Sequence, residues 1–148
     1  MILGLQAGRH RHTLELMQVL FSCGKSVVLR AKNHFNCIRP VDLDPSIMPI
    51  IATPAHSSYP AGHATEGTLV ATVLKKVAGA KGHAASSKLD LLAKRIADNR
   101  IVAGLHYPVD NEAGAALGDW LARYADDLAL EGTNVWSWLV KQAKEEWR

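Results

Sequence analysis

Apolar positions recur along this chain at helical spacing, and nowhere do they alternate with polar ones for long enough to make a strand. From about Arg11 to Ile38 no proline intervenes. Leu14, Met17, Leu20 and Phe21 fall on one stripe that Val27, Val28 and Ala31 continue, with Gly24 marking a bend or division. Pro40 stops this helix. A second is expected from Pro60 or Gly62 to about Val77, turning Leu69, Val70, Val73, Leu74 and Val77 to the core and closing at Ala78-Gly79-Ala80-Lys81-Gly82. Ser87 and Asp90 have the spacing of a capping box and open a third helix, whose stripe of Leu89, Leu92, Ala93 and Ile96 reaches about Arg100. Pro108 opens a fourth, with Asp110 and Glu112 in a first turn that favours carboxylates and Ala113, Ala116, Leu117, Trp120, Leu121 and Tyr124 facing inward. Gly132-Thr133-Asn134 leads into a last helix that buries Val135, Trp138 and Leu139.

Between the first two helices, Val41 to Tyr59 holds Pro45, Pro49 and Pro54 and follows neither period. A structureless stretch of about 20 residues inside a small domain usually serves function. The expected fold is therefore all-α: one domain over residues 1–148, a bundle of about five helices with a long irregular loop before the second.

Composition narrows the function classes. With 48% apolar and 21% charged residues, the chain can bury a core and is not a disordered segment. Its net charge of +3 is mild, and its cations are scattered apart from Arg9, Arg11 and Lys75-Lys76. Nucleic acid binding would want a basic stripe or interleaved aromatics, so no nucleic acid partner is expected. The cation excess suits a small anionic ligand, and homo-oligomerisation stays open. No apolar run nears the length of about 18 residues that a membrane span needs. Met1-Ile2-Leu3-Gly4-Leu5 is too short for the apolar region of a signal peptide, so a cytoplasmic location is the default, provided Met1 is the natural start. Cys23 and Cys37 form no framework and read as reduced packing residues, and His10, His12, His34 and His83 read as surface residues.

Three clusters carry candidate chemistry. Lys32 and Arg39 are seven residues apart, close to two turns, so a helix would send both cations off one face near its end. Ser57-Ser58-Tyr59-Pro60-Ala61-Gly62-His63 leads into a helix whose free first-turn amides and dipole favour an anion, with His63 beside it to pass a proton. Arg100, His106 and Asp110 flank a helix junction. A carboxylate four residues past a histidine can hold its Nδ1–H and free Nε2 as nucleophile or ligand.

Taken in order, Lys with six residues before Arg-Pro, then Pro-x-Gly-His, then Arg, five residues, His, three residues and Asp resembles the three-part signature of the type-2 phosphatidic acid phosphatase and vanadium-dependent haloperoxidase superfamily. The resemblance runs from Lys32 to Asp110. It implies that Lys32, Arg39, Arg100 and the Gly62 amide hold a phosphate or vanadate. It further implies that His106, oriented by Asp110, attacks phosphorus in a phosphatase or binds vanadium in a peroxidase. His63 would be the acid that protonates a leaving alcohol, or would help peroxide bind vanadate and activate it.

Vanadate is the implied cofactor of the peroxidase and none is implied for the phosphatase; the partners are an anionic small molecule, or halide and peroxide. His56, seven residues before His63 where bromoperoxidases of the family carry a histidine, and Ser58 are candidates for halide or supporting contacts and tilt the reading toward the haloperoxidase branch. A soluble acid phosphatase working through a phosphohistidine at His106 is the alternative. The family usually has serine where this chain has Ala61, so one hydroxyl bond to the oxyanion is lacking unless Ser58 or water supplies it. Longer members of the family carry helices before this region, so the chain is expected to be a fragment or to need a partner to close its core.

Two readings compete from outside the family. His56, His63, Glu66 and His106 could ligate zinc, although three converging cations would repel it. A catalytically decayed helical module is the other, favoured by Ala61. Glu66 by itself reads as a solvated or cap-supporting residue.

Overall fold

The computed structural model describes residues 2–148 and places seven helices along them: α1 (Arg11–Phe35), α2 (Pro40–Leu43), α3 (Gly62–Val77), α4 (Gly79–Ala84), α5 (Ser86–Val102), α6 (Pro108–Leu130) and α7 (Val135–Glu145). No strand occurs among the described residues. Five of these helices are long and α2 and α4 are short, so the all-α bundle with a long loop before α3 is what the chain forms. Among the described residues no helix is long and apolar enough to cross a membrane.

The bundle is built around α3, which packs against α1, α5 and α6 and also touches α4 and α7. Its Leu69, Val70, Val73, Leu74 and Val77 are buried as the periodicity requires, with Leu16 and Leu20 of α1, Leu89 and Ala93 of α5, Leu121 and Ala122 of α6 and Leu139 and Ala143 of α7 completing the core.

Several expectations shift. The buried stripe of α1 is Thr13, Leu16, Leu20, Gly24, Val28 and Lys32, so Leu14 and Phe21 lie at its exposed edge; Gly24 does not divide the helix and lets Leu69 approach. The inner face of α6 is Asp110, Asn111, Gly114, Gly118, Leu121 and Ala122, while Ala116, Trp120 and Tyr124 are exposed. A Cβ at Gly114 or Gly118 would collide with the backbone oxygen of Ala61 or Thr65. The α3–α6 contact is thus made by missing side chains, which an apolar pattern does not register. Val135 and Trp138 are exposed as well, for α7 buries the face of Leu139 and Ala143.

Helix boundaries also differ. α3 begins at Gly62 with Ala61 as N-cap, after a cis Tyr59–Pro60 bond, so Pro60 is not its first residue. Pro40 opens α2 rather than merely ending α1. Ala85, not Ser87, is the N-cap of α5, and Asp90 instead pairs with Lys75 of α3 at 2.5 Å. Residues 79–84 form α4 where a plain helix end was expected.

Cys23 and Cys37 are free but exposed, and so contribute nothing to packing. His10 is buried against Trp147, with ring centroids 4.3 Å apart. The carboxylate of Glu146 accepts from the His12 and Thr13 amides at 2.7 and 2.9 Å and lies 2.9 Å from the His12 ring, capping α1 from the far end of the chain.

Candidate functional site

A cavity of about 280 Å³ opens where the C-terminal end of α1, the N-terminus of α3 and the α5–α6 junction meet. Lys32, Arg39, His56, Gly62, His63, Arg100 and His106 line it together with Lys25 and Glu66. The three sequence clusters, spread over most of the chain, therefore face one space.

Each polar group is placed by local structure. Lys32 is buried and its Nζ donates to the carbonyls of Ser57 and Ser58, both at 2.7 Å. An ammonium has three protons, so one is left over. Burial, then the neighbouring Arg39 charge, lowers its pKa to about 8. Arg39 does not continue the helix of Lys32, contrary to the two-turn reading. Asn36 adopts a left-handed conformation with φ 46° that ends α1, and Arg39 sits at the N-cap of α2. Its guanidinium is pinned by the carbonyls of His56 (2.9 Å) and Leu105 (2.7 Å). Arg100, in the last turn of α5, differs: its Nε is buried and has no partner.

His106 is buried, and its Nδ1 lies 3.0 Å from Oδ2 of Asp110, which also accepts the Tyr107 amide at 3.0 Å. This fixes the ring so that Nδ1 carries the proton and Nε2 keeps its lone pair. Burial lowers the pKa of His106, against the raising effect of the Asp110 bond, and the charges of Lys32 and Arg39 push the same way as burial. His63 stands at the exposed rim on the first turn of α3; partial desolvation, then the charges of Arg100, His106 and Lys32, hold its pKa below the usual value.

Of the supporting candidates, His56 is exposed at the mouth, with Nδ1 3.2 Å from Nη2 of Arg39. Ser58 does not line the cavity. Its hydroxyl donates to the Ile38 carbonyl at 3.1 Å, so it cannot stand in for the serine missing at position 61. Ala61 is fully buried beside Ala64 and Ala97. Lys25 lines the cavity without having been expected there, and Glu66, expected as a zinc ligand or a cap-supporting residue, lines it too. Their spacing carries a signal all the same, since Lys25 precedes Lys32 by two turns and Glu66 follows His63 by three residues on the same helix face. Glu66 is half-buried, which raises its pKa. Among the described residues no group of three or more His, Cys, Asp or Glu side chains could hold a metal ion, and the convergence of cations suits an oxyanion instead.

A model of the PAP2 superfamily matches residues 15–125. The chain belongs to the PAP2 superfamily. It is 36% identical over 70 residues to the decaprenylphosphoryl-5-phosphoribose phosphatase of Mycolicibacterium smegmatis, a match covering 47% of this chain and 36% of that protein. To the protein of the same name from Mycobacterium tuberculosis it is 33% identical over 85 residues, covering 57% of this chain and 44% of the other. The chain thus spans less than half the length of the curated relatives it matches. In fold it resembles the crystal structure of a transmembrane PAP2-type phosphatidylglycerolphosphate phosphatase from Bacillus subtilis, with a TM-score of 0.67, 18% identity and coverage of 81% of this chain and 60% of that one. These relatives are named as phosphatases, and none of the three as a haloperoxidase.

Proposed function

We propose that this PAP2 chain is a phosphatase that hydrolyses a phosphomonoester through a phosphohistidine at His106. The observation that carries the reading is an imidazole held through Nδ1 by Asp110, with Nε2 free, in the same cavity as a buried Arg100 Nε that has no protein partner. Such a donor has a reason to exist if an oxyanion completes it.

In the first step His106 Nε2 forms a bond to phosphorus while the ester P–O bond breaks, and the leaving alkoxide takes its proton from His63. In the second, water attacks the phosphohistidine, His63 accepts the water proton, and inorganic phosphate and neutral His106 are released. Lys32, Arg39, Arg100 and the first-turn amides of α3 bear the growing negative charge on the equatorial oxygens in both steps. Because desolvation and the charges of Arg100, His106 and Lys32 lower the pKa of His63 in the free protein, an incoming phosphate dianion supplies charge of the opposite sign that draws a proton onto it.

No cofactor enters this reaction. Orthovanadate, which has the same tetrahedral oxygens, suits the same donors and is expected to act as an inhibitor. The haloperoxidase reading draws no support from the named relatives. An alkaline quench during turnover of a labelled phosphomonoester tests the proposal: label should appear on a histidine in the wild type and be absent in His106→Ala. Vanadate-dependent oxidation of halide by peroxide, without ester hydrolysis, would overturn it.

A further inference from the structure

Among the described residues Glu66 is the only carboxyl that lines the oxyanion cavity, and the mechanism above does not use it. It follows Gly62 by four residues on α3, and a helical side chain leans toward the N-terminus of its helix. Its Oε1 accordingly lies 4.0 Å from where a Cβ on Gly62 would stand, over the first turn whose free amides face the anion. The stem is packed against α1, with Cγ 3.7 Å from the Cβ position of Gly24. Among the described residues no hydrogen bond or ion pair engages the carboxyl, and Lys25, the cation that acts on it, is exposed on α1. The residue also borders an apolar groove walled by Ile2, Leu3, Met17 and Phe21, so one flank of it faces hydrocarbon instead of water.

We propose that Glu66 enters the reaction as a neutral carboxylic acid and donates a hydrogen bond to an oxygen of the bound phosphate. The proposal rests on the oxyanion reading of the cavity given above. The first turn of α3 is otherwise short of side-chain donors: Ala61 has no hydroxyl, and that of Ser58 is spent on the Ile38 carbonyl. A carboxylate at this place would meet the phosphate with like charge, whereas the protonated form replaces that repulsion with a short, charge-assisted O–H···O bond. Burial already favours the neutral form, with Lys25 opposing it. An arriving dianion favours it further, so binding draws a proton onto the carboxyl. A carboxylic acid kept neutral by its surroundings is an effective donor to an oxyanion. The other charged or titratable groups on the cavity are Lys32 of α1, Arg39, His56, His63, Arg100 and His106. All of them stay in place when Glu66 is replaced, so a comparison between variants at position 66 cancels their own titrations.

The probe is inorganic sulfate, which is tetrahedral and keeps its two charges from about pH 5 to 8, a range in which phosphate changes its own. Calorimetry in buffers of different ionisation enthalpy counts the protons taken up on binding, and thermal unfolding without the anion checks the fold of each variant. Wild type should take up more protons than Glu66→Gln, whose amide donates without titrating, by about half a proton or more at the maximum within this range. Wild-type affinity should also fall more steeply as pH rises, by up to about tenfold more per pH unit, so that Glu66→Gln binds the tighter at about pH 8. Glu66→Ala, which removes the donor, should bind sulfate about tenfold or more weakly than wild type at about pH 5. Equal proton uptake in wild type and Glu66→Gln overturns the proposal. So does Glu66→Ala binding as tightly as wild type at the acid end, which makes the carboxylate a repelling charge and nothing more. If Glu66→Ala does not fold, the proton count decides alone. A wild type that binds no sulfate overturns the oxyanion reading and the proposal together. The difference in proton uptake, found in a protein that hydrolyses no phosphomonoester, supports the donor and overturns the phosphatase reading alone.

Discussion

Replacing Arg100 with methionine should make the free protein more stable and the working protein far worse. The stem of the side chain is nearly preserved, so packing at the end of α5 changes little. What disappears is a buried Nε without a partner and a positive charge that lowers the pKa of His63 and of Arg39. A buried unsatisfied donor costs about 1–3 kcal/mol, so the variant should gain about 1–2 kcal/mol once the lost stem contacts are set against it. At this chain length that is roughly 2–4 °C of Tm per kcal/mol. Saturating phosphate reverses the order. A ligand at a hundred times its Kd stabilises the wild type by about 2.7 kcal/mol, and the variant, lacking one of the three cations, should lose most of that. Its kcat/KM should fall by about 10²–10³, the usual cost of removing one charged or oriented donor from a developing oxyanion. Thermal melts in buffer free of phosphate and sulfate, repeated with added phosphate, would show the two curves cross. The His63 ring, relieved of one neighbouring charge, should titrate higher by NMR. If Arg100→Met is less stable than wild type without phosphate and gains as much as wild type with it, then Arg100 is a structural residue and the oxyanion site is misassigned.

Three further outcomes follow from the same geometry. Ala61→Ser puts a hydroxyl at the N-cap of α3, where serine is worth about 1 kcal/mol, so Tm should rise; if the hydroxyl turns from the Ala64 and Ala97 side toward the cavity, the inhibition constant for phosphate should drop roughly tenfold, and unchanged inhibition would show that position 61 faces away from the ligand. With the pKa values of His106 and His63 both lowered, one needed neutral and the other protonated, kcat/KM should peak on the acid side of pH 6.5 as the property of the coupled pair, and anion affinity should fall again as Lys32 deprotonates through about 8. Linkage gives the stability sign. The unfolded chain takes up more protons than these two imidazoles do in the folded protein as pH falls below 6.5, so phosphate-free stability should decline there, and denaturant melts across pH 4.5–7 measure it. Gly114→Ala should cost about 3 kcal/mol or more, because the new Cβ meets the Ala61 backbone and not a flexible side chain, and urea unfolding reads the loss directly.

How much of this could be read from the residues follows from what each feature is made of. That these side chains converge on one cavity was legible because the proposed chemistry demands particular groups: two guanidiniums and an ammonium for an oxyanion, an imidazole with a carboxylate one turn on, and a second imidazole at a helix start. Substituting any of these changes the chemistry, so the order of Lys32, Arg39, His63, Arg100, His106 and Asp110 carried the family through a loop with no periodicity at all. The helices of the core were legible for a related reason, since Leu69, Val73 and Val77 can be buried together only on one face of α3. The inner face of α6 was not, because Gly114 and Gly118 contribute by absence and large residues such as Trp120 then point outward by default. Nor was the left-handed turn at Asn36, a single dihedral that aims Arg39 at the cavity from a different helix than Lys32. The capping of α1 by Glu146 joins residues at opposite ends of the chain, a contact that only the closed bundle brings about. Polar chemistry therefore fixes which atoms must meet, while glycines and turns fix how closely the helices bring them. An apolar groove over α3, lined by Phe21 of α1, Leu92 and Ile96 of α5 and Ile2, Leu3 and Leu5 of the N-terminal segment, belongs to the second class: no pattern along either helix announces the gap between them.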